Sequence, residues 1–474
     1  MDIHKFWRLS SFNKSDKATI GIIRRDKKEI FNGTIKFYND NMHWTVGISN
    51  FIKLEAGDLT MKSFNMDFKL VVIGQIISIF GSSILKFALS LYVLDLTGSA
   101  GAFATILAVS TIPIVVLAPI GGAIADRFNR KKLMVIFDFL SSAIVLAFLI
   151  ILVGGNNSVL LIGVIMTLLS IISTMYQPTV QASLPVLVDC DNLIKANGVV
   201  AGIAALANIA GPIIGGLLYS FMGLKVIVIV SCISFFLSAV MEIFIYIPFV
   251  RQDQSGNIIH TIFSDIKDGL RYLIKGKPII LKIMLIAAGL NMLLVPMITV
   301  GVPYIVKITM GASSTLYGIS QGAISFSMIL AAASIGMVGK KLTMENLHRC
   351  FFVCGLFFVP MALSIYLFSA SVGFWITFIV FTISGMLILF SATIASIFII
   401  TMIQKETPNN ILGKVMAILF AGSTCATPVG QMIYGEMLDS FADNVYVVVI
   451  IAGIVTIMMA GIAKMLLKRG STVT

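Results

Sequence analysis

An all-helical integral membrane fold, twelve transmembrane helices in two six-helix pseudo-repeat bundles, is what this sequence predicts. Three observations predict it. The 474 residues are 58% hydrophobic and only 12% charged, with a mean hydropathy of +1.00. Apolar runs of about 20 residues, the length that crosses ~30 Å of hydrocarbon, recur along the chain. Basic residues gather in alternate loops between these runs. In lipid every backbone polar group needs a partner within its own segment, so such runs are helices; a β-barrel would show shorter alternating segments.

Hydropathy places the spans near 68–92, 102–124, 133–153, 159–178, 197–220, 225–247, 279–304, 316–338, 350–369, 372–400, 412–435 and 444–466. A polar linker at 248–278 separates six spans (66–247) from six (279–474). Inside it Ile262, Ile266, Leu270 and Leu273 stand at helical spacing with basic neighbours, which predicts a helix lying on the membrane interface. The halves carry a faint repeat. Gly98 and Asp126 are spaced as Gly311 and Gly339 are, and Pro212 before Ile-Ile-Gly-Gly has a counterpart in Pro428 before Val-Gly. Two parallel six-span repeats with a site between them is a transporter architecture.

The net charge of +12 does not point to nucleic acid, because its placement explains it. Arg127, Arg130, Lys131 and Lys132 occupy one loop. Arg251, Lys267, Arg271, Lys275 and Lys277 lie in the linker, Lys340, Lys341 and Arg349 in a later loop, and Lys464, Lys468 and Arg469 at the C-terminal end. The intervening loops hold little beyond Lys225 and Lys307. This positive-inside bias predicts a multi-pass cell-membrane protein with both termini cytoplasmic. The polar, charged N-terminus argues against a cleavable signal peptide.

Residues 1–65 are polar and basic and lack a strong period, so an unstructured extension is expected, or a start at Met61 or Met66. A basic tail of this kind also suits anionic lipid headgroups. Cys190, Cys232, Cys350, Cys354 and Cys425 make no disulfide framework. His348, Cys350 and Cys354 fall short of four converging zinc ligands. No metal, cofactor or catalytic constellation is expected, and without a P-loop ATP does not drive the chain directly.

The loop between the second and third spans carries Gly122-Ala-Ile-Ala-Asp126-Arg127-Phe-Asn129-Arg130-Lys131-Lys132. It resembles the signature of the major facilitator superfamily, with Asn129 at the second glycine. Asparagine is the next residue after glycine to tolerate a positive φ, so a left-handed turn is expected there. The resemblance implies that Asp126 and the basic residues lock the halves when the cavity opens outward; Asp138, one to two turns into the third span, is expected to partner this cluster. Gly202, then Asn208-Ile-Ala-Gly211-Pro212-Ile-Ile-Gly215-Gly216, resembles the fifth-span motif of the superfamily's exporters. Here proline bends the helix and glycines admit a close neighbour. Gly74-Gln75, Thr97 to Ala100, Leu184-Pro185 and Ala196-Asn197-Gly198 look like the macrolide-efflux and enterobactin-exporter branch, over about residues 66–466.

Ionisable residues inside spans are functional candidates. Lys86 is expected in the outward half of the first span, either lining a cavity or snorkelling. Glu242 is expected near the inner end of the sixth span, snorkelling or paired with a loop cation. Glu436, close to Asp439, and Asp95 sit at outer helix ends and read as solvated. Gln75, Asn208, Asn291 and Gln321 either touch substrate or bond between helices. The expected function is export of an amphiphilic, drug-like or macrolide-like small molecule by a monomer working through alternating access, with proton antiport implied by the resemblance. A dedicated siderophore or metabolite exporter and a non-transporting membrane sensor stand as alternatives.

Overall fold

Capping chemistry and apolar length set the helices of the computed structural model. It describes residues 7–10, 18–24, 30–35, 64–155, 158–189, 192–248, 267–274, 278–339, 342–369 and 373–468. The chain divides into two units, Met1–Ser63 and Phe64–Thr474. In the first, β1 (Trp7–Ser10), β2 (Ala18–Arg24) and β3 (Ile30–Ile35) pair antiparallel in the order β1-β2-β3. The sequence reading expects an unstructured extension here. The β-branched Thr19, Ile20, Ile22 and Ile23 of β2 supply the strand preference that its aperiodic surroundings obscure.

In the second unit α1 (Met66–Thr97) begins at Asn65, whose side chain accepts from Phe68 N and donates to Leu187 O at 2.8 Å. It ends at Gly98 with φ 59°, the left-handed cap that glycine adopts without cost. Ser99 then caps α2 (Ala100–Arg127), and Asn129 caps α3 (Arg130–Val153). After α4 (Val159–Leu187) comes α5 (Leu193–Ile243), 51 residues long. At 1.5 Å per residue it is about 75 Å, more than twice the hydrocarbon thickness. Gly223, at φ 72°, breaks it into two arms. Gly211 and Gly215 of the first arm pack on Ser83 and Phe87 of α1, whereas Ser231 and Ser238 of the second donate to Gly81 O and Gly74 O. The contact order rises along the first arm and falls along the second, so the chain reverses direction at Gly223.

The second half repeats the plan. Its first helix, α6, runs Pro278–Thr309 and widens into π turns at Met297–Gly301 and Ile305–Thr309. Pro296 and Pro303 lie beside these turns, each removing one helical hydrogen bond. Gly311, φ 63°, and the capping Ser313 reproduce the Gly98–Ser99 corner before α7 (Ser314–Val338). Then follow α8 (Leu347–Ser369), α9 (Phe374–Glu406), α10 (Asn409–Ser440) and α11 (Val445–Lys468). Among the described residues eleven helices are long and apolar enough to cross a membrane, the broken α5 counted once. Of the linker helix, Ile262 and Ile266 lie outside the described residues. The helix at 267–274 buries Leu273 and abuts α10, where a Cβ on Gly269 would stand 2.5 Å from Ile418 Cδ1. Lys414 Nζ donates to Asp268 Oδ2 at 2.9 Å; this bond and the Lys414 charge hold the Asp268 carboxyl below its usual range.

Candidate functional site

Glycine and serine let the helices of the first half approach closely, and polar groups collect where they meet. Ser83 Oγ donates to Ala207 O at 3.0 Å, and Ser142 Oγ to Cys232 O at 3.0 Å. Such small, hydroxyl-bearing contacts hold helices together where lipid offers no hydrophobic drive. Residues of α1, α2, α3, α4 and α5 line a cavity of about 500 Å³ whose wall is mixed. Ser82, Lys86, Gln177, Gln181 and Asn208 give it polarity, while Ile114, Leu169, Ile172 and Phe235 give apolar surface. Lys86 lies on this wall. Its ammonium has no hydrogen-bond or ion-pair partner among the described residues.

Two expectations for buried acids are corrected. Asp138 does not point to the basic loop. It is 2% exposed and its Oδ1 accepts from Ser78 Oγ at 3.0 Å, across the bundle on α1. Glu242 neither snorkels nor meets a loop cation: it is fully buried and its Oε1 accepts from Tyr176 OH at 2.6 Å. Both side chains leave α3 and α5 on their inward faces, which the serine-rich packing makes polar. Gln75 is also fully buried, with neither amide atom bonded.

A second set of contacts joins the two halves at one end. Asp439 of α10 caps the start of α2 from the opposite half: Oδ1 accepts from Ala100 N at 2.7 Å, and Oδ2 from Gly101 N at 2.9 Å and Ser99 Oγ at 2.6 Å. These donors are the unpaired N–H groups of a helix start, where the dipole also favours an anion. Nearby, Lys307 Nζ stands 3.5 Å from Asp95 Oδ1, Tyr219 OH donates to Asp95 Oδ2 at 2.9 Å, and Thr315 N donates to Ser220 Oγ at 3.2 Å. Asp95 is therefore paired across the halves, not merely solvated. Glu436 is exposed.

The exporter-like motif on α5 faces two ways. Gly211 and Gly215 meet α1; Gly216 meets Ser314 O and Gly318 of α7, and the Pro212 carbonyl faces Gly318. Gly202 has no neighbour within 4 Å for a Cβ to meet. In the second half Gly430 of α10 faces Met292 O of α6, the carbonyl that Pro296 deprives of its helical donor, and a Cβ on Gly435 would stand 3.0 Å from Ala100 O of α2. Each fifth-position helix thus grips the first helix of its own half and the second helix of the other.

In the basic turn Asn129 is not left-handed. Its φ is −63° and its Oδ1 accepts from Lys132 N at 3.1 Å. Asparagine replaces glycine there as a helix N-cap, a role sequence spacing also permits. Arg130 Nε donates to Ala125 O at 3.2 Å, Gly122 and Lys131 are half-buried, and Lys132 is exposed. Arg127 has a partner too; the Asp126 side chain lies outside the described residues. Asn291 bonds back to Ala287 O of its own helix at 3.0 Å, and Gln321 Oε1 is buried without a partner. His348 Nδ1 bonds Glu345 O. Sequence reasoning missed Asp439, Tyr176 and Ser78. A small-residue helix start facing an acid in the other half was the only available signal for the first.

Residues 63–471 match the family described as Transmembrane secretion effector, of the major facilitator superfamily. Macrolide efflux protein A of Streptococcus pyogenes is 21% identical over 382 residues, covering 81% of this chain and 92% of that protein. The lysophospholipid transporter LplT of Photorhabdus laumondii is 23% identical over 341 residues, covering 70% and 79%. The nucleoside transporter NupG has the same fold, with a TM-score of 0.68 at 12% identity over 85% of this chain and all of that one. The chain belongs to this transmembrane secretion effector family: it is a multi-pass membrane transporter of the major facilitator type, related to macrolide efflux proteins, and not an enzyme.

Proposed function

We propose that the chain exports an amphiphilic small molecule by alternating access, driven by proton antiport. One observation carries the reading: a cavity with a mixed polar and apolar wall in a protein whose halves meet at one end through small residues and a trans-acting cap. A mixed wall suits a molecule with an apolar body and a few polar groups. Counting the two arms of α5 separately, the described residues offer twelve candidate crossings. The positive-inside loops make the Asp439 end the outer one, so the cavity belongs to a state closed to the outside. Macrolide efflux and lysophospholipid transport in the relatives are both work on amphiphiles. The test is accumulation of a panel of labelled amphiphiles in cells with and without the protein. Lower accumulation of at least one amphiphile supports export; equal accumulation across the panel defeats it.

Lys86 narrows the cargo. An unpaired ammonium on a membrane-embedded wall is retained most simply by an anionic or strongly electronegative group on the passenger. Lys86→Gln and Lys86→Met are expected to lose efflux of anionic amphiphiles by tenfold or more, about 1.4 kcal/mol of discrimination, and to keep that of cationic ones. Unchanged anionic efflux in both variants means the side chain only snorkels.

The basic turn is the proposed gate at the opposite end. Asp126→Asn is expected to cut efflux several-fold with membrane abundance unchanged, and Lys132→Ala to cut it less, because neighbouring cations remain. Immunoblots of membranes beside efflux rates separate gating from insertion. Normal efflux from Asp126→Asn removes this loop from the mechanism.

A further inference from the structure

The polar cluster behind the cavity holds more unsatisfied chemistry than cargo recognition needs. Asp138 on α3 and Glu242 on the second arm of α5 each use one carboxyl oxygen in a hydrogen bond and leave the other, Oδ2 and Oε2, buried without a partner. Gln75 adds a fully buried amide with neither atom bonded. It sits on the turn of α1 between Gly74, whose Cβ position lies 3.8 Å from Glu242 Cγ, and Ser78, which bonds Asp138. The Ser238 hydroxyl bridges the region. It donates to Gly74 O at 3.0 Å. Glu242 packs at Gly74 and Asp138 bonds Ser78, one turn further along α1, so the two carboxyl groups face adjacent turns of one helix.

The titratable groups facing the pair come from α4 and α1. α4 contributes Tyr176, which donates its proton to Glu242. α1 contributes Lys86, on the cavity wall that Asp138 also lines, and Asp67 at its start, whose Oδ1 is occupied by Tyr246 N. α2 lines the cavity with Ile114 and Ala118. No ion pair to Asp138 or Glu242 is present among the described residues. Two neighbouring carboxylates in an apolar bundle do not both stay ionised; one proton between them relieves the repulsion. A metal ion fits less well. Hard cations such as Ca²⁺ collect six to eight oxygens, whereas Asp138 Oδ2, Glu242 Oε2 and Gln75 Oε1 are the free acceptors here.

We propose that Asp138 and Glu242 form one buried proton-binding pair, positioned by Ser78 and Tyr176, and that this pair is the coupling site of the transporter. Asp138 is its access point, because it lines the cavity, while Glu242 lies behind Tyr176. The proton enters from cavity water onto a free carboxylate oxygen and returns to water when the pair ionises. No other bond changes. Tyr176 is a positioning residue: it keeps Glu242 Oε1 occupied and leaves Oε2 for the proton. The coupling role rests on the efflux reading above; proton occupancy does not.

The experiment is infrared spectroscopy of the full chain reconstituted in lipid, titrated in pH with no cargo present. The protein is expected to show a protonated-carboxyl C=O stretch that disappears on alkaline titration. Asp138→Asn and Glu242→Gln, both isosteric, should each remove or shift this band. Tyr176→Phe should retain it with a displaced midpoint, which loss of packing alone would not produce. Size-exclusion profiles confirm that the variants are folded. A titrating band untouched by both substitutions, or no such band in the wild type, overturns the proposal. So does a band that vanishes on adding Na⁺ at fixed pH, which would make the pair a metal-cation site. Because no cargo is used, failure here leaves the export reading standing, and failure of the accumulation assay leaves the proton site standing.

Discussion

Asp439→Ala is expected to loosen the closed end of the transporter. The carboxylate receives Ser99 Oγ, Ala100 N and Gly101 N from the other half. Hydrogen bonds to a charged group contribute roughly 1.5–3 kcal/mol each when buried. Asp439 is exposed, so solvent reduces the whole set to about 1–2 kcal/mol. A change of that size alters a two-state ratio by roughly 5–30-fold. Asp439→Asn should fall between wild type and alanine: it keeps one acceptor oxygen and loses the charge that the α2 dipole favours. The measurement is crosslinking by a short bismaleimide between Ser220→Cys and Thr315→Cys, in a chain without its native cysteines. Those positions face each other across the halves. The yield should drop in Asp439→Ala and drop less in Asp439→Asn. Equal yields in all three would show that the cap does not hold the halves together.

How far the sequence goes is visible in the same residues. Long apolar runs revealed the helices, and even the break in α5 was legible, because Gly223 falls between two runs that each match a bilayer. The repeat was legible as spacing, and the structure gives it a cause: Gly98 and Gly311 turn the same corner, each followed by a serine cap. What sequence does not encode locally is side-chain direction around a buried helix. Asp138 is one to two turns from a cationic loop in sequence and yet bonds Ser78, 60 residues away. Glu242 bonds Tyr176 across 66 residues. Hydropathy sees an acid near a helix end and predicts solvent; only the packing of α1, α4 and α5 shows that the end is filled. Asn129 teaches a related lesson. Its identity fits the motif, but the N-cap rather than a left-handed turn is the reason.

The glycines of α5 are expected to separate folding from gating, with the largest effects of any substitutions considered. Gly211 faces Ser83 inside the first half, Gly216 faces Ser314 O and Gly318 in the second, and Gly202 faces open space. Valine at each adds the same volume against different partners. Overpacking costs about 1–3 kcal/mol where neighbours cannot yield, and the backbone carbonyl of Ser314 yields less than a side chain. Gly211→Val strains a contact within one bundle, present in every state of the cycle, so membrane abundance should fall together with efflux. Gly216→Val strains only the state in which α5 and α7 touch. The penalty then becomes a population shift, up to about 150-fold at 3 kcal/mol. This variant should insert at normal abundance, lose the Ser220–Thr315 crosslink and transport almost nothing. Gly318→Val, approaching the same contact from α7 through the Pro212 carbonyl, should reproduce it. Gly202→Val should resemble wild type in abundance and crosslinking. If Gly216→Val retained both crosslink and efflux, the α5–α7 contact would not be one that the transporter makes and breaks, and the motif would be packing alone.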